Sequence, residues 1–286
     1  MFCSATDWLV RKAESSIAQR KVTWHSRKCI AQRKIVKAEL RRESFVGCLA
    51  RINTYEGIRF MKVQVKRKSR GVYSVTGACV DIEYSVLGPI ANNTYVISDG
   101  DFTFVVDPSH DADAILKMVG NRSVDAIVVT HHHADHTSAL KALKDKTGAP
   151  VYASAIDTPV IENQPKDFPP AESCKVDVQL KDKETVKLGN MAWKALATPG
   201  HTPGGICLFL ESDKGKHLDG ANVLISGDTL FCGSIGRTDF EGGNDKQMRA
   251  SLRRLSQLPN DTLVLPGHNS LTTIADEQRR VFAYFC

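Results

Sequence analysis

Short apolar runs, each bounded by polar or turn-forming residues, recur along the chain from about residue 72 onward. Runs of this length that are rich in β-branched residues are typical of buried strands. They predict eight strands, namely Tyr95–Ile97, Thr103–Val106, Ala126–Thr130, Val151–Ala153, Trp193–Ala197, Ile206–Leu210, Val223–Ser226 and Leu263–Leu265. Because helical patterns alternate with these strands, we expect an α/β fold.

Four segments between or after the strands have the features of helices. Asn244–Leu258 places Met248, Leu252 and Leu255 on one face through spacings of three and four residues. The other three segments begin or end at residues that commonly cap helices. They are Asp111–Val119, Thr137–Lys146 and Thr273–Phe285. The apolar stripes of these helices predict core positions and not contacts with a cofactor.

The composition is that of an ordinary folded protein, since 42% of the 286 residues are hydrophobic and 24% are charged. This length allows one large domain with a small additional segment. No run of 18 or more apolar residues is present, so we expect no membrane span. The eight cysteines include no Cys-x-x-Cys pair. Free thiols in a reducing compartment are therefore favoured over disulfides, and we predict a cytoplasmic protein.

Charge divides the chain near its N-terminal end. Residues 1–80 contain 18 Lys or Arg and 5 Asp or Glu, a net charge of +13, whereas residues 81–286 have a net charge of −7. We interpret residues 1–60 as a basic N-terminal extension and residues 61–286 as the functional domain. Three interpretations of the extension are open: a basic, disordered accessory tail, an Arg-rich targeting peptide, or an artefact of the chosen start codon.

The densest group of reactive side chains directly follows a predicted strand. Residues 130–136 have the sequence THHHADH, in which the pattern His-x-His-x-Asp-His is formed by His131, His133, Asp135 and His136. Imidazole nitrogens and carboxylate oxygens are common ligands of zinc and of non-haem iron. A purification tag is also rich in histidine, but it would lie at a terminus and would not follow a buried strand. The cluster therefore predicts a metal site.

Three further segments repeat the order of strand, turn and ligand. His201 lies in the turn TPGHTPGG, Asp228 follows the run VLISG, and His268 follows LVLPG. Each residue alone would more often be a cap or a solvated loop residue. With the first cluster they make seven candidate ligands, whereas one ion needs about four. Seven ligands suit two ions that share a carboxylate. We therefore expect two divalent metal ions, with zinc as the first choice and iron or manganese as alternatives.

Together these motifs resemble the metallo-β-lactamase fold superfamily, and within it the short glyoxalase II-like (hydroxyacylglutathione hydrolase-like) branch. The resemblance extends from about Ile82 to about Glu277 and includes LGPIANNTY at 87–95, which is similar to the family's opening strand, and LFCGSIGRTDF at 230–240. It implies an αββα sandwich. The sequence MKV at 61–63 resembles the start of short family members, which favours the start-codon interpretation of residues 1–60.

The resemblance also implies a role for each ligand. The first metal would be held by His131, His133 and His201, the second by Asp135, His136 and His268, and Asp228 would bridge both. Zinc β-lactamases commonly place a Cys at the bridging position, so the Asp argues against β-lactam hydrolysis. Arg237 would face the anionic group of a substrate. His132 occupies a variable position of the motif.

The implied function is hydrolysis of a small-molecule thioester, such as S-D-lactoylglutathione or a related small acyl thioester, by a metal-bound hydroxide. Asp135 and Asp228 would be the catalytic residues. A thiol leaves as a thiolate without a strong general acid, which suits this chemistry. Longer glyoxalase II enzymes have a C-terminal domain that binds glutathione. This chain ends 18 residues after His268, so glutathione recognition stays open.

Two alternative functions share the same fold. A persulfide dioxygenase would hold a single iron through the residues that correspond to His131, His201 and Asp228. An RNA-processing nuclease would use the basic N-terminal extension. Because residues 81–286 are acidic, we expect neither nucleic acid nor a membrane as a partner. The sequence does not indicate an oligomeric state.

Overall fold

A computed structural model describes residues 63–164, 170–213 and 220–286. The prediction of an N-terminal extension over residues 1–60 concerns residues outside this part, and it stays a prediction. Within the described part the strands form two large sheets and one small hairpin. None of the described helices is both long and apolar enough to cross a lipid bilayer.

The first sheet has eight strands in sequential order. They are β1 (Gln64–Ser69), β2 (Val72–Thr76), β3 (Asp81–Leu87), β4 (Asn92–Ser98), β5 (Thr103–Val106), β6 (Ala126–Val128), β7 (Val151–Ser154) and β8 (Val178–Leu180). Pairing is antiparallel from β1 to β5 and parallel from β5 to β8. The parallel strands all end at the same edge of the sheet, so the loops that follow them lie close together.

The second sheet has six strands in the order β16-β15-β12-β11-β10-β9, and β13 and β14 form a separate hairpin. The strands are β9 (Thr185–Leu188), β10 (Met191–Ala197), β11 (Ile206–Leu210), β12 (Val223–Gly227), β13 (Leu230–Phe231), β14 (Ser234–Ile235), β15 (Leu263–Pro266) and β16 (Thr272–Thr273). Strands β12 and β15 run parallel and are direct neighbours. The residues that follow these two strands are therefore adjacent in space.

Helices cover the outer face of each sheet. In chain order they are α1 (Ala112–Val119), α2 (Ala134–Thr137), α3 (Leu140–Thr147), α4 (Thr158–Ile161), α5 (Asp245–Leu255), α6 (Ile274–Glu277), a π-helical segment (Gln278–Phe282) and α7 (Ala283–Phe285). Asn244 caps α5 and Thr273 caps α6, because each side chain accepts a hydrogen bond from the backbone N–H three residues later.

The core is divided into three apolar layers, as expected when two sheets pack together and helices cover both. Tyr95 and Ile97 of β4 lie between the sheets, whereas Val96 faces the helices α1 and α3, because successive side chains of a strand point to opposite faces. Phe104 and Trp193 meet edge to face across the sheets, with 5.6 Å between ring centroids. A third layer packs α5 against the second sheet. The αββα sandwich is confirmed.

Several predicted boundaries were wrong. The segment 87–95 is not one opening strand, since it contains the end of β3, a turn and the start of β4. In that turn Gly88 and Ala91 have φ values of 73° and 58°. The predicted helix Thr137–Lys146 is two helices, α2 and α3, and the predicted helix Thr273–Phe285 contains the π-helical segment. Strands β1 to β3 escaped prediction; of these, β1 is almost wholly polar and exposed.

Candidate metal centre

Four loops bring the seven predicted ligands to one place in the structure. The loops follow β6, β10, β12 and β15, and in each case the ligand lies just beyond the last residues of the strand. Three overlapping groups in the described part have ligand atoms within 4.8 Å of one another. They are His131, His133 and His201; His131, His136 and Asp228; and Asp135, His136 and His268. Every ligand proposed from the sequence belongs to one of these groups.

The first group is a cluster of three imidazoles, of which two are buried and His133 is partly exposed. His131 and His201 are buried, and the Nδ1 atom of His133 lies 2.8 Å from the Nε2 atom of His201. The rings of His131 and His133 meet at right angles, with 4.9 Å between centroids. Rings in this arrangement direct three nitrogen atoms toward one point, as a metal ion with imidazole ligands requires.

The second group lies beside the first and combines a carboxylate with two imidazoles. The Nε2 atom of His268 is 3.1 Å from Oδ2 of Asp135, and Nε2 of His136 is 3.7 Å from the same oxygen. His136 is completely buried, whereas the side chains of Asp135 and His268 are 18% and 15% exposed. This group therefore opens toward solvent on the side of Asp135 and His268.

Asp228 lies between the two groups. Its Oδ1 atom is 3.3 Å from Nε2 of His136, and its Oδ2 atom is 3.4 Å from Nε2 of His201 and 3.5 Å from Nε2 of His268. One carboxylate thus reaches imidazoles of both groups. An aspartate in this position can contribute one oxygen to each of two cations, which is the bridging arrangement that the sequence predicted.

Hydrogen bonds from the opposite sides of the rings determine which nitrogen of each imidazole is free. Nδ1 of His136 lies 2.8 Å from the buried carboxylate of Asp107, and Nδ1 of His201 lies 2.6 Å from the backbone carbonyl of Arg237. Carboxylate and carbonyl oxygens only accept, so both Nδ1 atoms donate, and in the neutral rings both Nε2 atoms keep a lone pair. The lone pairs point into the cluster, as metal ligation requires.

Unpartnered buried atoms at the centre fit metal ions. Nε2 of His131, Nε2 of His136 and Oδ1 of Asp228 are all buried, and none of them has a hydrogen-bond partner. Burying a polar atom without a partner costs about 1–3 kcal/mol, so three such atoms in one place call for a bound group. All three are acceptors that suit a divalent cation, and together they match the donor types that zinc and iron prefer.

The electrostatics favour the metal-binding protonation states at His131, His133 and Asp228, whereas at His136 and His268 the nearby carboxylates outweigh burial and raise the pKa, so that metal binding there would release a proton. Burial and the neighbouring imidazoles lower the pKa of His131 well below its usual value and lower the pKa of His133 to about 3. Burial tends to raise the pKa of Asp228, but the imidazoles of His136, His268 and His201 outweigh it and lower this pKa. Neutral imidazoles and ionised carboxylates are the forms that bind metals.

Asp107 is a functional residue to which we assigned no role from the sequence. Its Oδ1 atom accepts from the backbone N–H of Thr130, and its Oδ2 atom accepts from the Thr130 hydroxyl and faces His136. Its φ of 48° is uncommon for a residue other than glycine, and strained residues of this kind cluster at functional sites. The signal was an acid directly after the apolar run TFVV, the order that also marks Asp228.

Asp157 is a second residue to which we assigned no role from the sequence. Its Oδ2 atom accepts from the backbone N–H of His132 at 3.0 Å and from the hydroxyl of Thr202 at 2.9 Å. These two residues adjoin ligands in different loops, so one buried carboxylate joins the loop after β6 to the loop after β10. The loops approach so closely that a Cβ atom on Gly204 would overlap the side chain of Asp157.

The cluster forms the floor of an open cleft of about 1130 Å³. His133, Asp135, His201, Asp228 and His268 all reach this cleft. Its walls are largely apolar and are formed by Ile90, Pro159, Val160, Phe231, Ile235 and Phe240. An apolar cleft with a few convergent polar groups is the usual form of a small-molecule site.

Arg237 lines the cleft, but its guanidinium is already engaged. Its Nε and Nη2 atoms donate to the two carboxylate oxygens of Asp239 at 2.9 and 2.8 Å, and its Cζ atom lies 4.2 Å from the centroid of the Phe240 ring. The side chains of Arg237 and Asp239 are 64% and 67% exposed. Arg237 thus lies at the rim of the cleft, and Asp239 accepts from only two of the five N–H donors of its guanidinium.

Comparison with known proteins agrees with the site's geometry. The sequence profile of the metallo-β-lactamase superfamily matches residues 87–268, which include all seven ligands. The chain belongs to the metallo-β-lactamase superfamily. An uncharacterised protein of Aquifex aeolicus is 37% identical over 200 residues, which are 67% of this chain and 91% of that protein. The hydroxyacylglutathione hydrolase GloC of Haemophilus influenzae is 32% identical over 61% of this chain and 84% of its own length.

Solved structures show the same metallo-β-lactamase fold. The B3 metallo-β-lactamase BLEG-1 has a TM-score of 0.63 and 31% identity, over 70% of this chain and 98% of its own. The protein TTHA1623, solved in a di-iron-bound form, has a TM-score of 0.59 and 30% identity over 69% and 97%. ETHE1 from Myxococcus xanthus has a TM-score of 0.57 and 32% identity over 70% and 82%. Membership in this metallo-hydrolase superfamily is therefore established for this chain, and its structure contains His and Asp groups that could hold metal ions.

Proposed function

We propose that this protein hydrolyses small-molecule thioesters with the help of two divalent metal ions. The observation that carries the proposal is one buried carboxylate, Asp228, that contacts imidazoles of two adjacent ligand groups at the floor of a cleft. Similarity to a hydroxyacylglutathione hydrolase supports the thioester as the substrate class. Zinc is our first choice of metal, with iron and manganese as alternatives.

The residues present fit such a pair of ions. His131, His133 and His201 would hold the first ion, Asp135, His136 and His268 would hold the second, and Asp228 would contribute to both. When bound, the metals would lower the pKa of water toward ~7 and polarise the substrate carbonyl. Asp107 and the backbone carbonyl of Arg237 keep the imidazoles of His136 and His201 in the tautomers that this requires.

Asp135 is the ligand best placed to assist the reaction directly. It is part of the cleft lining, and its side chain is 18% exposed, whereas Asp228 is more deeply buried. Burial opposes charge on Asp135, but the hydrogen bond from His268 and the charge of His136 outweigh it and lower the pKa of Asp135. An ionised carboxylate at the mouth of the cluster can orient the attacking water, whereas its lowered pKa makes it a weak acceptor of that water's proton.

The leaving group needs little help from the protein. A thiol has a pKa near ~8.5, so it departs as a thiolate without a strong general acid. The apolar walls of the cleft would exclude water around the thioester. The thioester would then meet a polar surface only at the floor of the cleft. These features favour thioesters over amides, whose nitrogen leaving groups require protonation.

The test uses the full-length protein, stripped of metal and reloaded with zinc, iron or manganese. We expect metal-dependent release of thiol from a panel that contains S-D-lactoylglutathione and smaller acyl thioesters, with metal-free protein and Asp228→Ala as inactive controls. Metal-loaded protein that releases thiol from no member of the panel would falsify the proposal.

One observation supports iron as an alternative metal, and a single iron would define a second candidate function. A similar protein of known structure, TTHA1623, was solved with two irons, which shows that this fold can hold iron. Iron at His131, His201 and Asp228 alone would correspond to a persulfide dioxygenase. Oxygen consumption with a persulfide, together with one iron per chain, would select this candidate over the hydrolase.

A further inference from the structure

The hairpin of β13 and β14 joins the wall of the cleft to the proposed metal centre. Phe231 and Ile235, one from each of its strands, both line the cleft. The Phe231 ring also lies edge to face against the imidazole of His268, with 5.9 Å between ring centroids. A shift of this hairpin would therefore change the surface that a substrate meets directly beside a proposed ligand.

The hairpin is too short to fix its own position. Each of its strands has two residues, and the two strands form a separate sheet in which they pair with each other. An isolated two-stranded hairpin is marginally stable at best in water. The hydroxyl of Ser226 donates to the carbonyl of Leu230 at 2.8 Å and so holds the base of the hairpin. Other contacts must determine where the turn lies.

The turn of the hairpin is held by the C-terminal segment of the chain. It consists of Cys232 and Gly233, the two residues between β13 and β14. Oε2 of Glu277 accepts from the backbone N–H of Gly233 at 3.0 Å, and Nη1 of Arg280 donates to Sγ of Cys232 at 3.5 Å. Glu277 ends α6, and Arg280 lies in the π-helical segment that follows. Segments of this kind are frequent at functional sites.

Glu277 is a completely buried acid at this point of contact. Its second oxygen, Oε1, accepts from the hydroxyl of Thr272 in β16 at 2.6 Å and lies 3.7 Å from the guanidinium of Arg280. Burying a carboxylate costs free energy, and burial raises the pKa of Glu277. An apolar residue could fill the same space without this cost, but it could not bind the N–H of Gly233. What the carboxylate adds is thus a bond between the hairpin and the second sheet.

We propose that Glu277 is a positioning residue that fixes the β13–β14 hairpin, and with it the part of the substrate wall formed by Phe231 and Ile235. The inference rests on the proposed function in one respect, which is that the cleft binds the substrate. Glu277 does not line the cleft, and it takes no part in breaking or forming bonds. It acts through Phe231, so its loss should weaken substrate binding more than turnover.

The first test measures hydrogen–deuterium exchange of the backbone over residues 230–236 in the full-length, metal-loaded protein. Glu277→Met keeps most of the side-chain volume and removes both acceptors, so the protein should still fold. Glu277→Gln keeps an oxygen for the Gly233 N–H and an amide that can donate to the Thr272 hydroxyl. The matched control is Thr272→Val, which removes the other hydrogen bond of Glu277 and leaves its contact with the hairpin.

We expect exchange over residues 230–236 to be about tenfold faster in Glu277→Met, because the amide of Gly233 loses its acceptor. Glu277→Gln and Thr272→Val should exchange at close to the wild-type rate in this segment. Exchange requires no substrate, so this test decides whether Glu277 fixes the hairpin even if the wild type hydrolyses no thioester.

The second test measures the Michaelis constant and kcat for S-D-lactoylglutathione, with metal content determined on each preparation. Glu277→Met should raise the Michaelis constant about fivefold, which is the loss expected when one aromatic contact is weakened, and kcat should change little. In a Phe231→Ala background the same change should add almost nothing, because the side chain through which Glu277 acts is already absent.

Four outcomes would overturn the inference. Exchange over residues 230–236 could be unchanged in Glu277→Met, or Thr272→Val could accelerate it equally. The effects of Glu277→Met and Phe231→Ala on the Michaelis constant could be fully additive, which would mean that Glu277 does not act through Phe231. A Glu277→Met protein that does not fold would assign the carboxylate to the stability of the core.

Discussion

The floor and the rim of the cleft hold their charged groups in different ways. At the floor, Asp107 and Asp228 are 2% and 9% exposed, and their carboxylates contact buried imidazoles. At the rim, Arg237 and Asp239 are more than half exposed and contact each other. Charge interactions are strong where water is excluded and weak where it is not. Changes at the floor should therefore decide whether the reaction occurs, and changes at the rim should decide which substrate is preferred.

The largest effect is expected at the floor from Asp228→Ala. This change would leave two cations close together without a shared carboxylate, so metal occupancy and turnover should both fall. A loss of several kcal/mol corresponds to roughly a thousandfold in kcat, at ~1.4 kcal/mol for each factor of ten. Metal analysis and steady-state kinetics on the same preparation would check this. Full metal content with normal turnover would remove the bridging role.

Asp107→Ala should have the next largest effect, although Asp107 is not itself a proposed ligand. The change removes the acceptor that orients His136, and losses of this kind typically weaken metal affinity by about 10- to 100-fold. Asn tolerates the positive φ at this position and keeps one acceptor oxygen, so Asp107→Asn should restore part of the affinity.

Chelator competition on the two Asp107 variants would measure the affinity for each metal ion. We expect the ion beside His136 to be lost first from Asp107→Ala. Equal affinities for wild type and both variants would show that Asp107 supports the loop and does not act on the metal site.

Asp157→Ala should weaken metal binding by about tenfold, which is the low end of the typical loss in metal affinity for residues around a metal site. The effect should be small because Asp157 contacts the ligand loops and not the ligands themselves. The ion among His131, His133 and His201 should be the more affected one. Asp125→Ala is the matched control, since Asp125 also accepts from a backbone N–H, that of Thr103, but contacts neither ligand loop. A similar loss of metal from the Asp125 variant would assign both effects to general destabilisation.

Arg237→Ala should have the smallest effect. The Asp239 pair and the exposure of the side chain limit its contribution to roughly 1 kcal/mol, or about fivefold in the Michaelis constant for an anionic thioester. Turnover should change little, because contacts made equally in the ground and transition states affect mainly substrate affinity. An unchanged Michaelis constant for every anionic substrate would exclude Arg237 from binding, and a large loss of turnover would place it at the floor instead.

The difference between floor and rim also explains what could be predicted from the sequence. The seven proposed ligands follow apolar strands, so the pattern of strand, turn and His or Asp selected residues that the structure brings together. The pairing of Arg237 with Asp239 depends on side-chain conformation in an exposed loop, which no periodicity records. The resemblance therefore gave Arg237 a contact with the anionic group of a substrate, but it did not reveal the ion pair with Asp239.

Two kinds of feature escaped prediction for different physical reasons. Asp157 lies 45 residues from Thr202 and 25 residues from His132, and contacts over these distances leave no local pattern. Strand β1 has the sequence QVKRKS and lies at the edge of the sheet. It pairs with one strand only and faces solvent, so its sequence lacks the apolar alternation of a buried strand. Buried strands such as β6 and β12 have both faces covered, and their continuous apolar runs were recognised.

The most direct test of the central claim is anomalous scattering from crystals of the full-length protein grown with excess metal. We predict two anomalous peaks, one among His131, His133 and His201 and the other among Asp135, His136 and His268, with Asp228 in contact with both. A single occupied site in metal-replete crystals, with His136 and His268 both unliganded, would contradict the two-metal account and favour the single-iron alternative.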